Sequence, residues 1–110
     1  WMIATFVVEE PKGSVVEIIN MPNGAGNNVE GQIFYDPQDM SVMKETIVLW
    51  NNNDEVAHTV TSSLDFGDTF DSGLMDAGGT FQIDTSNLER DTYEYFCIVH
   101  PWMIGSIAVE

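Results

Sequence analysis

The amino-acid sequence predicts an all-β fold, a sandwich or small barrel of seven to eight short strands. Patches rich in β-branched and aromatic residues recur at short spacing, and clusters of Gly, Pro, Asn and Asp separate them. No stretch sustains an apolar helical stripe over three turns. The length of 110 residues suits a single domain, residues 1–110, and 44% hydrophobic residues are enough for a core without disulfides.

The expected strands follow one another along the chain. They are Thr5–Val8, Val15–Ile19, Thr46–Trp50, His58–Thr61, Thr80–Ile83, Thr92–Cys97 and Ile104–Val109. Turn-forming residues fall between them, at Asn20–Asn28, Asn51–Asp54, Asp65–Asp68, Asp76–Gly79 and Thr85–Asp91. Asn20–Asn28 is expected to be the loosest segment, and Asp36–Met40 is expected to form at most a helical turn.

The last two strands are expected to be antiparallel neighbours joined by the loop Cys97–Met103. Because side chains alternate between the two faces of a strand, Tyr93, Tyr95 and Cys97 then share one face of the sheet. The aromatic residues expected in the core are Phe34, Phe81, Tyr93 and Tyr95. The methionines outside the loop are expected to pack against other residues, and these are Met2, Met21, Met40, Met43 and Met75.

The charge of the chain is strongly one-sided. Three basic residues, Lys12, Lys44 and Arg90, stand against 18 acidic ones, which gives a formal charge of −15. Such a surface repels polyanions and anionic membranes, so we expect no nucleic-acid partner and no membrane attachment except through a segment outside this sequence. A cationic protein would be attracted at long range. The acidic pairs Glu9-Glu10 and Asp54-Glu55 are interpreted as solvated surface charge.

One loop carries three candidate metal ligands. Cys97, His100 and Met103 place a thiolate, an imidazole and a thioether at positions i, i+3 and i+6, and a strand end followed by a tight turn can direct all three at one point. The only other histidine, His58, lies where a turn meets a strand, far enough before Cys97 for two strands and a return. Both histidines and the sole cysteine therefore fit one site.

The donor types in this set restrict the metal. A thiolate with imidazoles suits copper, zinc or iron, and two imidazoles and a thiolate in a trigonal plane with a long axial thioether form the blue-copper arrangement. We therefore expect one centre with His58, Cys97, His100 and Met103 as its ligands. Two histidines cannot supply a second site, which excludes a multicopper oxidase.

The ligand loop resembles that of a known family. The string Cys97-Ile98-Val99-His100-Pro101-Trp102-Met103-Ile104-Gly105 is similar to the short ligand loop of amicyanins, as is the aromatic run Tyr93–Phe96 before it. Val48–His58 resembles the strand and loop ahead of the first histidine in the same proteins. Over about Phe34–Glu110 the chain thus resembles the cupredoxin family, in its plastocyanin and amicyanin branch, and small archaeal cupredoxins. The resemblance implies a Greek-key β-sandwich that holds one type 1 copper.

Three positions depart from the pattern of these relatives. Val99 and Ala57 stand where relatives often have proline, and Thr59 stands where many have asparagine. The resemblance implies that residue 59 donates its backbone amide to the thiolate and ties the two ligand loops together. Threonine keeps the amide, but its side chain is not expected to reproduce the hydrogen bonds of asparagine.

The function that the resemblance implies is transfer of single electrons between redox partners by Cu(I)/Cu(II) cycling. His100 would pass the electron through an apolar patch of Pro101 and Trp102 to a redox protein with a basic docking face. We expect the protein to act outside the cytoplasm, in the periplasm or on the outer face of the cell membrane. Soft copper sites need a compartment where copper is available.

Two alternatives to electron transfer stay open at this point. If Met103 does not bind, an open axial position would suit a copper oxidoreductase that acts on nitric oxide or nitrite. Three strong ligands would also suit structural zinc, or copper storage.

Overall fold

The structure, a computed structural model, describes residues 15–110, and its regular elements are mainly β-strands. In chain order they are β1 (Val16–Met21), β2 (Asp39–Val42), β3 (Ile47–Asn52), β4 (Thr61–Ser62), β5 (Thr80–Asp84), β6 (Thr92–Phe96) and β7 (Ile104–Val109). Within residues 15–110, helical structure is limited to the 3-10 turn Thr85–Asn87. The prediction of an all-β fold is confirmed, while the expected strand Thr5–Val8 and Met2 lie outside the described residues.

The strands form two mixed sheets. One sheet has the order β1-β3-β5 and the other β2-β7-β6-β4. β1 runs parallel to β3 and β2 runs parallel to β7, whereas the pairs β3–β5, β6–β7 and β4–β6 are antiparallel. The expected pairing of the last two strands is confirmed, so the loop from Cys97 to Met103 is held at both ends by adjacent strands.

The core lies between the two sheets because each sheet buries alternate residues. In β3, Val48, Trp50 and Asn52 are buried, and β7 shows the same period of two. The Trp50 ring meets the Tyr95 ring edge-on, with 5.3 Å between centroids, which links the two sheets directly. Tyr95 is buried, and the other expected core aromatics pack against the core while partly exposed: Phe34, Phe81 and Tyr93.

Gly105 is required by a close approach in the second sheet. It lies opposite Tyr95 in the β6–β7 register. A Cβ atom on Gly105 would lie 2.6 Å from the Tyr95 Cζ and hydroxyl oxygen and 2.9 Å from the Gln38 carbonyl oxygen. The glycine of the ligand string therefore makes room for the tyrosine ring below the loop.

Residues 36–40 form no helical turn, which is within the expectation of at most one turn, because from Asp39 onward the chain pairs with β7 and Ser106 donates its amide to the Gln38 carbonyl. This pairing gives the backbone N–H and C=O groups hydrogen-bond partners, whereas a single helical turn would leave most of them unsatisfied. The expectation that Met43 packs against other residues was wrong, because its side chain is 69% exposed.

The segment expected as a strand at 58–61 lies mostly outside the strand ladders. His58 exchanges two backbone hydrogen bonds with Met75, of 3.1 and 2.9 Å, and regular pairing begins only at Thr61. Met75 itself is buried, as expected. His58 is therefore fixed by a two-residue bridge at the edge of the sheet that contains β6.

Candidate metal centre

The backbone of the loop after β6 is closed by its own hydrogen bonds. The His100 amide donates to the Cys97 carbonyl over 3.2 Å, and the Met103 amide donates to the His100 carbonyl over 2.9 Å. The Cys97 amide in turn donates to the Met103 carbonyl over 3.1 Å, directly before β7 begins. Two turns in succession therefore return the chain on itself and place the three residues side by side.

The structure brings three of the expected ligands together. The Cys97 sulfur lies 3.8 Å from Nδ1 of His58 and 3.6 Å from Nδ1 of His100, and the two Nδ1 atoms are 3.1 Å apart. Among the His, Cys, Asp and Glu side chains of residues 15–110, these three form a group able to hold a metal ion. Met103 is fully buried in the same loop.

The spacing of these donors fits a single metal ion. Metal–nitrogen bonds of about 2.0 Å and metal–sulfur bonds of about 2.3 Å, as zinc makes them, separate ligands in a trigonal plane by about 3.5–3.8 Å. The observed separations of 3.1, 3.6 and 3.8 Å lie close to that range. A thiolate and two imidazoles at this spacing form the equatorial set of a type 1 copper site.

The sulfur of Cys97 is prepared for metal binding by its neighbours. Burial alone would raise the pKa of the thiol, but His58, the Thr59 amide and His100 lower it from 9.0 to about 6. The Thr59 amide donates to the sulfur over 3.3 Å. The thiolate, which is the form that binds metals, is therefore available at neutral pH.

The buried ligand His58 is oriented by a carboxylate. Its Nε2 atom lies 2.7 Å from Oδ2 of Asp54, and both side chains are buried. Because a carboxylate accepts and does not donate, Nε2 carries the proton and the lone pair of Nδ1 points toward Cys97 and His100. Burial alone would lower the pKa of His58, but Cys97 and Asp54 together raise it.

Asp54 is a functional residue that the sequence analysis missed. The pair Asp54-Glu55 was interpreted as solvated surface charge, yet the exposed fraction of Asp54 is 6%. Burial alone would raise its pKa, but the hydrogen bonds from Gly24, His58, Glu55 and Gly26 lower it to about 2. Asp54 lies four positions before His58 in the sequence, but that spacing alone does not indicate a contact in a loop.

The segment Asn20–Asn28, expected to be the loosest, is tied to the metal centre. The amides of Gly24 and Gly26 each donate to the Asp54 carboxylate over 2.8 Å, and Ala25 between them is fully buried. The glycine and asparagine content indicated a turn but not the buried acceptor that holds it.

Thr59 links the two ligand loops with its side chain as well as its amide. The Ile98 amide donates to the Thr59 hydroxyl oxygen over 2.9 Å, and that oxygen lies 3.0 Å from the Thr61 hydroxyl. The threonine side chain thus takes part in holding the loops, through a hydroxyl in place of the amide group of asparagine. The hydroxyl connects the residue after His58 to the residue after Cys97.

His100 is the donor that reaches the surface. It is half-buried, whereas His58, Cys97 and Met103 have no exposed surface. Its ring packs against that of Trp102, with 5.3 Å between centroids, and Ile98, Val99 and Pro101 of the same loop are exposed. An apolar surface therefore begins at the only exposed edge of the cluster.

A polar cavity of about 280 Å³ lies beside His100. Its lining comes from the 24–26 turn and the loop before His58, and consists of Asn23, Gly24, Gly26, Asn27, Asp54, Glu55, Val56 and His100. His100 thus borders a polar cavity as well as exposed apolar side chains.

No helix in residues 15–110 combines the length and the apolar character that crossing a membrane requires.

Comparisons with known proteins agree with the fold and the donor set. The family described as copper binding proteins, plastocyanin/azurin family, matches residues 21–110. No curated protein matches the chain. A solved purple cupredoxin from Nitrosopumilus maritimus is 28% identical with a TM-score of 0.77, and the alignment covers 84% of this chain and 98% of that one.

Solved amicyanin structures share the fold at lower identity. A Cu(I) form of an amicyanin mutant is 22% identical with a TM-score of 0.63, and the alignment covers 93% of this chain and 87% of that one. A reduced form of another mutant is also 22% identical, with a TM-score of 0.61 and coverage of 81% and 91%. The fold is the cupredoxin fold, and the chain belongs to the plastocyanin/azurin family of copper-binding proteins.

Proposed function

We propose that this protein carries single electrons between redox partners, with one type 1 copper held by His58, Cys97 and His100 and by Met103 as a weak axial ligand. The observation that carries the proposal is the set of three donor atoms, which lie within 4.8 Å of one another. The family match and the cupredoxin fold support copper as the metal.

The residues of the chain serve electron transfer by holding their positions. Hydrogen bonds from Thr59 to Cys97, from Ile98 to Thr59 and from His58 to Asp54 fix the ligands from outside the cluster. The chemistry that copper supplies when bound is the gain and loss of one electron. Because hydrogen bonds from the surrounding residues fix the ligands, little has to rearrange between the two oxidation states.

His100 provides the route between the cluster and the surface. His58, Cys97 and Met103 are fully buried and exclude water from the cluster, so the partly exposed His100 ring is the shortest way out. The exposed apolar residues of its loop offer a surface on which a partner can dock closely. This supports electron exchange through His100.

The partner and the compartment are the finer parts of the proposal. A formal charge of −15 would attract a redox protein with a basic docking face. We place this exchange outside the cytoplasm, because soft copper ligands need a compartment that supplies copper. The resemblance to plastocyanins and amicyanins supports the same location.

Voltammetry of the copper-loaded protein tests the function. We expect a reversible one-electron wave, and neither the wave nor the visible spectrum should change when nitrite, nitric oxide or azide is added. A catalytic current with nitrite or nitric oxide, together with a spectral shift on adding azide, would contradict electron carriage. That result would favour an oxidoreductase with an open axial position.

A further inference from the structure

The Asp54 carboxylate joins three parts of the metal centre. Its Oδ1 accepts from the amides of Gly24 and Glu55 over 2.8 and 2.7 Å, and its Oδ2 accepts from the Gly26 amide and His58 Nε2 over 2.8 and 2.7 Å. Each oxygen thus accepts two N–H groups. A buried carboxylate with four such donors is stabilised in its charged form, so a full negative charge stands one imidazole ring away from the metal position.

The hydrogen bond between Asp54 and His58 can change the electronic properties of the metal site, because His58 is one of its ligands. A carboxylate that accepts from the outer nitrogen of a metal-bound imidazole fixes the ring orientation and makes the inner nitrogen a stronger donor. A stronger donor and a nearby negative charge both favour the more highly charged metal ion. Asp54 should therefore stabilise Cu(II) relative to Cu(I).

The same carboxylate also positions the turn that borders His100. A Cβ atom on Gly26 would lie 2.7 Å from Val56 Cγ2 and 3.5 Å from His100 Nε2, so the backbone of the turn passes close to the partly exposed ligand. Because the turn is held by Asp54 and His58 is held by Asp54, one side chain connects the surroundings of both histidines.

We propose that Asp54 is a positioning residue that lowers the reduction potential of the copper centre through His58 and fixes the 24–26 turn beside His100. This inference rests on the proposed copper function. A merely structural anchor would lower stability when removed but would leave the potential of the bound copper unchanged.

The test compares two copper-loaded variants with the native protein. Asp54→Asn keeps the shape of the side chain but removes the charge and replaces one accepting oxygen by a donating amide. Glu55→Gln removes the same charge from the adjacent exposed position and keeps the backbone amide through which Glu55 reaches Asp54. It is therefore the matched control for net charge.

We expect Asp54→Asn to shift the equilibrium with a redox mediator toward Cu(I) by tenfold or more, which is about 59 mV for one electron. Glu55→Gln should shift it far less, and the position of the visible band should change in Asp54→Asn only. Equal potentials for the two variants, with a loss of stability alone in Asp54→Asn, would overturn the inference.

A measurement on the native protein keeps the inference testable if Asp54→Asn does not fold. In the diamagnetic Cu(I) form, 15N-edited NMR should show a proton on Nε2 of His58. Its chemical shift should be typical of a strong hydrogen bond, whereas the ring N–H proton of His100 should not show such a shift. A His58 signal without this shift would overturn the inference. A native protein that takes up no copper would overturn the proposed function and the inference together, whereas equal potentials in coloured variants would overturn the inference alone.

Discussion

The backbone amide of Thr59 donates a hydrogen bond to the sulfur of Cys97 over 3.3 Å, although the two residues are 38 positions apart. The contact joins the loop of the buried histidine to the loop of the thiolate. A hydrogen bond to a thiolate stabilises its charge, and this one contributes to the lowered pKa of Cys97. Because the Ile98 amide also donates a hydrogen bond to the Thr59 hydroxyl oxygen, the two loops are connected twice at adjacent positions.

The Thr59 hydroxyl should therefore contribute to stability on its own. Thr59→Val keeps the backbone amide and the volume but leaves the Ile98 amide without its acceptor. We expect the free energy of unfolding of the metal-free protein to fall by about 1–3 kcal/mol in a urea titration. Thr59→Ser retains the hydroxyl and should cost clearly less. Equal losses in the two variants would show that the hydroxyl contact does not contribute.

Met103 should tune the copper rather than hold it. A weak axial thioether adds little to binding beside a thiolate and two imidazoles, so Met103→Leu should keep the copper and the colour. Loss of the thioether destabilises Cu(II) more than Cu(I), so the reduction potential should rise in voltammetry. Met21→Leu, a buried core substitution of similar volume, is the control and should leave the potential nearly unchanged.

An unchanged potential in Met103→Leu would have a specific meaning if azide or nitrite also altered the native spectrum. The axial position would then be open, and the saturated electron carrier would be the wrong description of the site.

Asp54 should make the stability of the metal-free protein depend on acid pH. Burial alone would raise its pKa, but hydrogen bonds from Gly24, His58, Glu55 and Gly26 lower it from 3.8 to about 2. Since the folded pKa lies below the unfolded one, the stabilisation is complete above about pH 4 and is lost as the pH falls to about 2. At neutral pH it amounts to about 2 kcal/mol, at about 1.4 kcal/mol per pKa unit.

Urea titrations of the native protein and Asp54→Asn between about pH 5 and about pH 2 measure this contribution. The difference in unfolding free energy between the two should narrow as the pH falls. A difference that stays constant over this range would contradict the assignment of an ionised, hydrogen-bonded Asp54.

The net charge of −15 should control the rate of electron exchange with small redox reagents. At low ionic strength a cationic complex such as hexaammineruthenium should be attracted and an anionic one such as hexacyanoferrate repelled. Added salt screens both effects, so the first rate should fall and the second should rise. Rates that respond to salt in the same direction, measured by stopped-flow absorbance, would contradict steering by the acidic surface.

The sequence was sufficient to predict the three side chains that the structure brings together. His58, Cys97 and His100 are chemically distinctive and scarce, so their types and the spacing of the loop residues indicated one site. The strands β3, β5, β6 and β7 were also expected near their observed bounds, because burial on one face leaves a period of two in the sequence. Local patterns were enough in these cases.

The features that were missed depend on long-range partners. Asp54 carries no local mark of burial, since its four donors come from a turn about 30 positions earlier and from its own loop. The strand β2 forms through its parallel pairing with β7, which is distant in the sequence. The Thr59 hydroxyl is useful only because Ile98 lies next to it in the fold. Such contacts become visible only after the strands are paired.

Titration of the metal-free protein with Cu(II), followed by visible absorption, tests the central claim that His58, Cys97 and His100 form one type 1 copper site. We expect an intense band, from charge transfer between the Cys97 thiolate and copper, that grows until one equivalent has been added and then stops. Cys97→Ser should remove the band, because the hydroxyl cannot replace the thiolate as electron donor. Strong colour that survives in Cys97→Ser, or a native protein that stays colourless with Cu(II), would contradict the account.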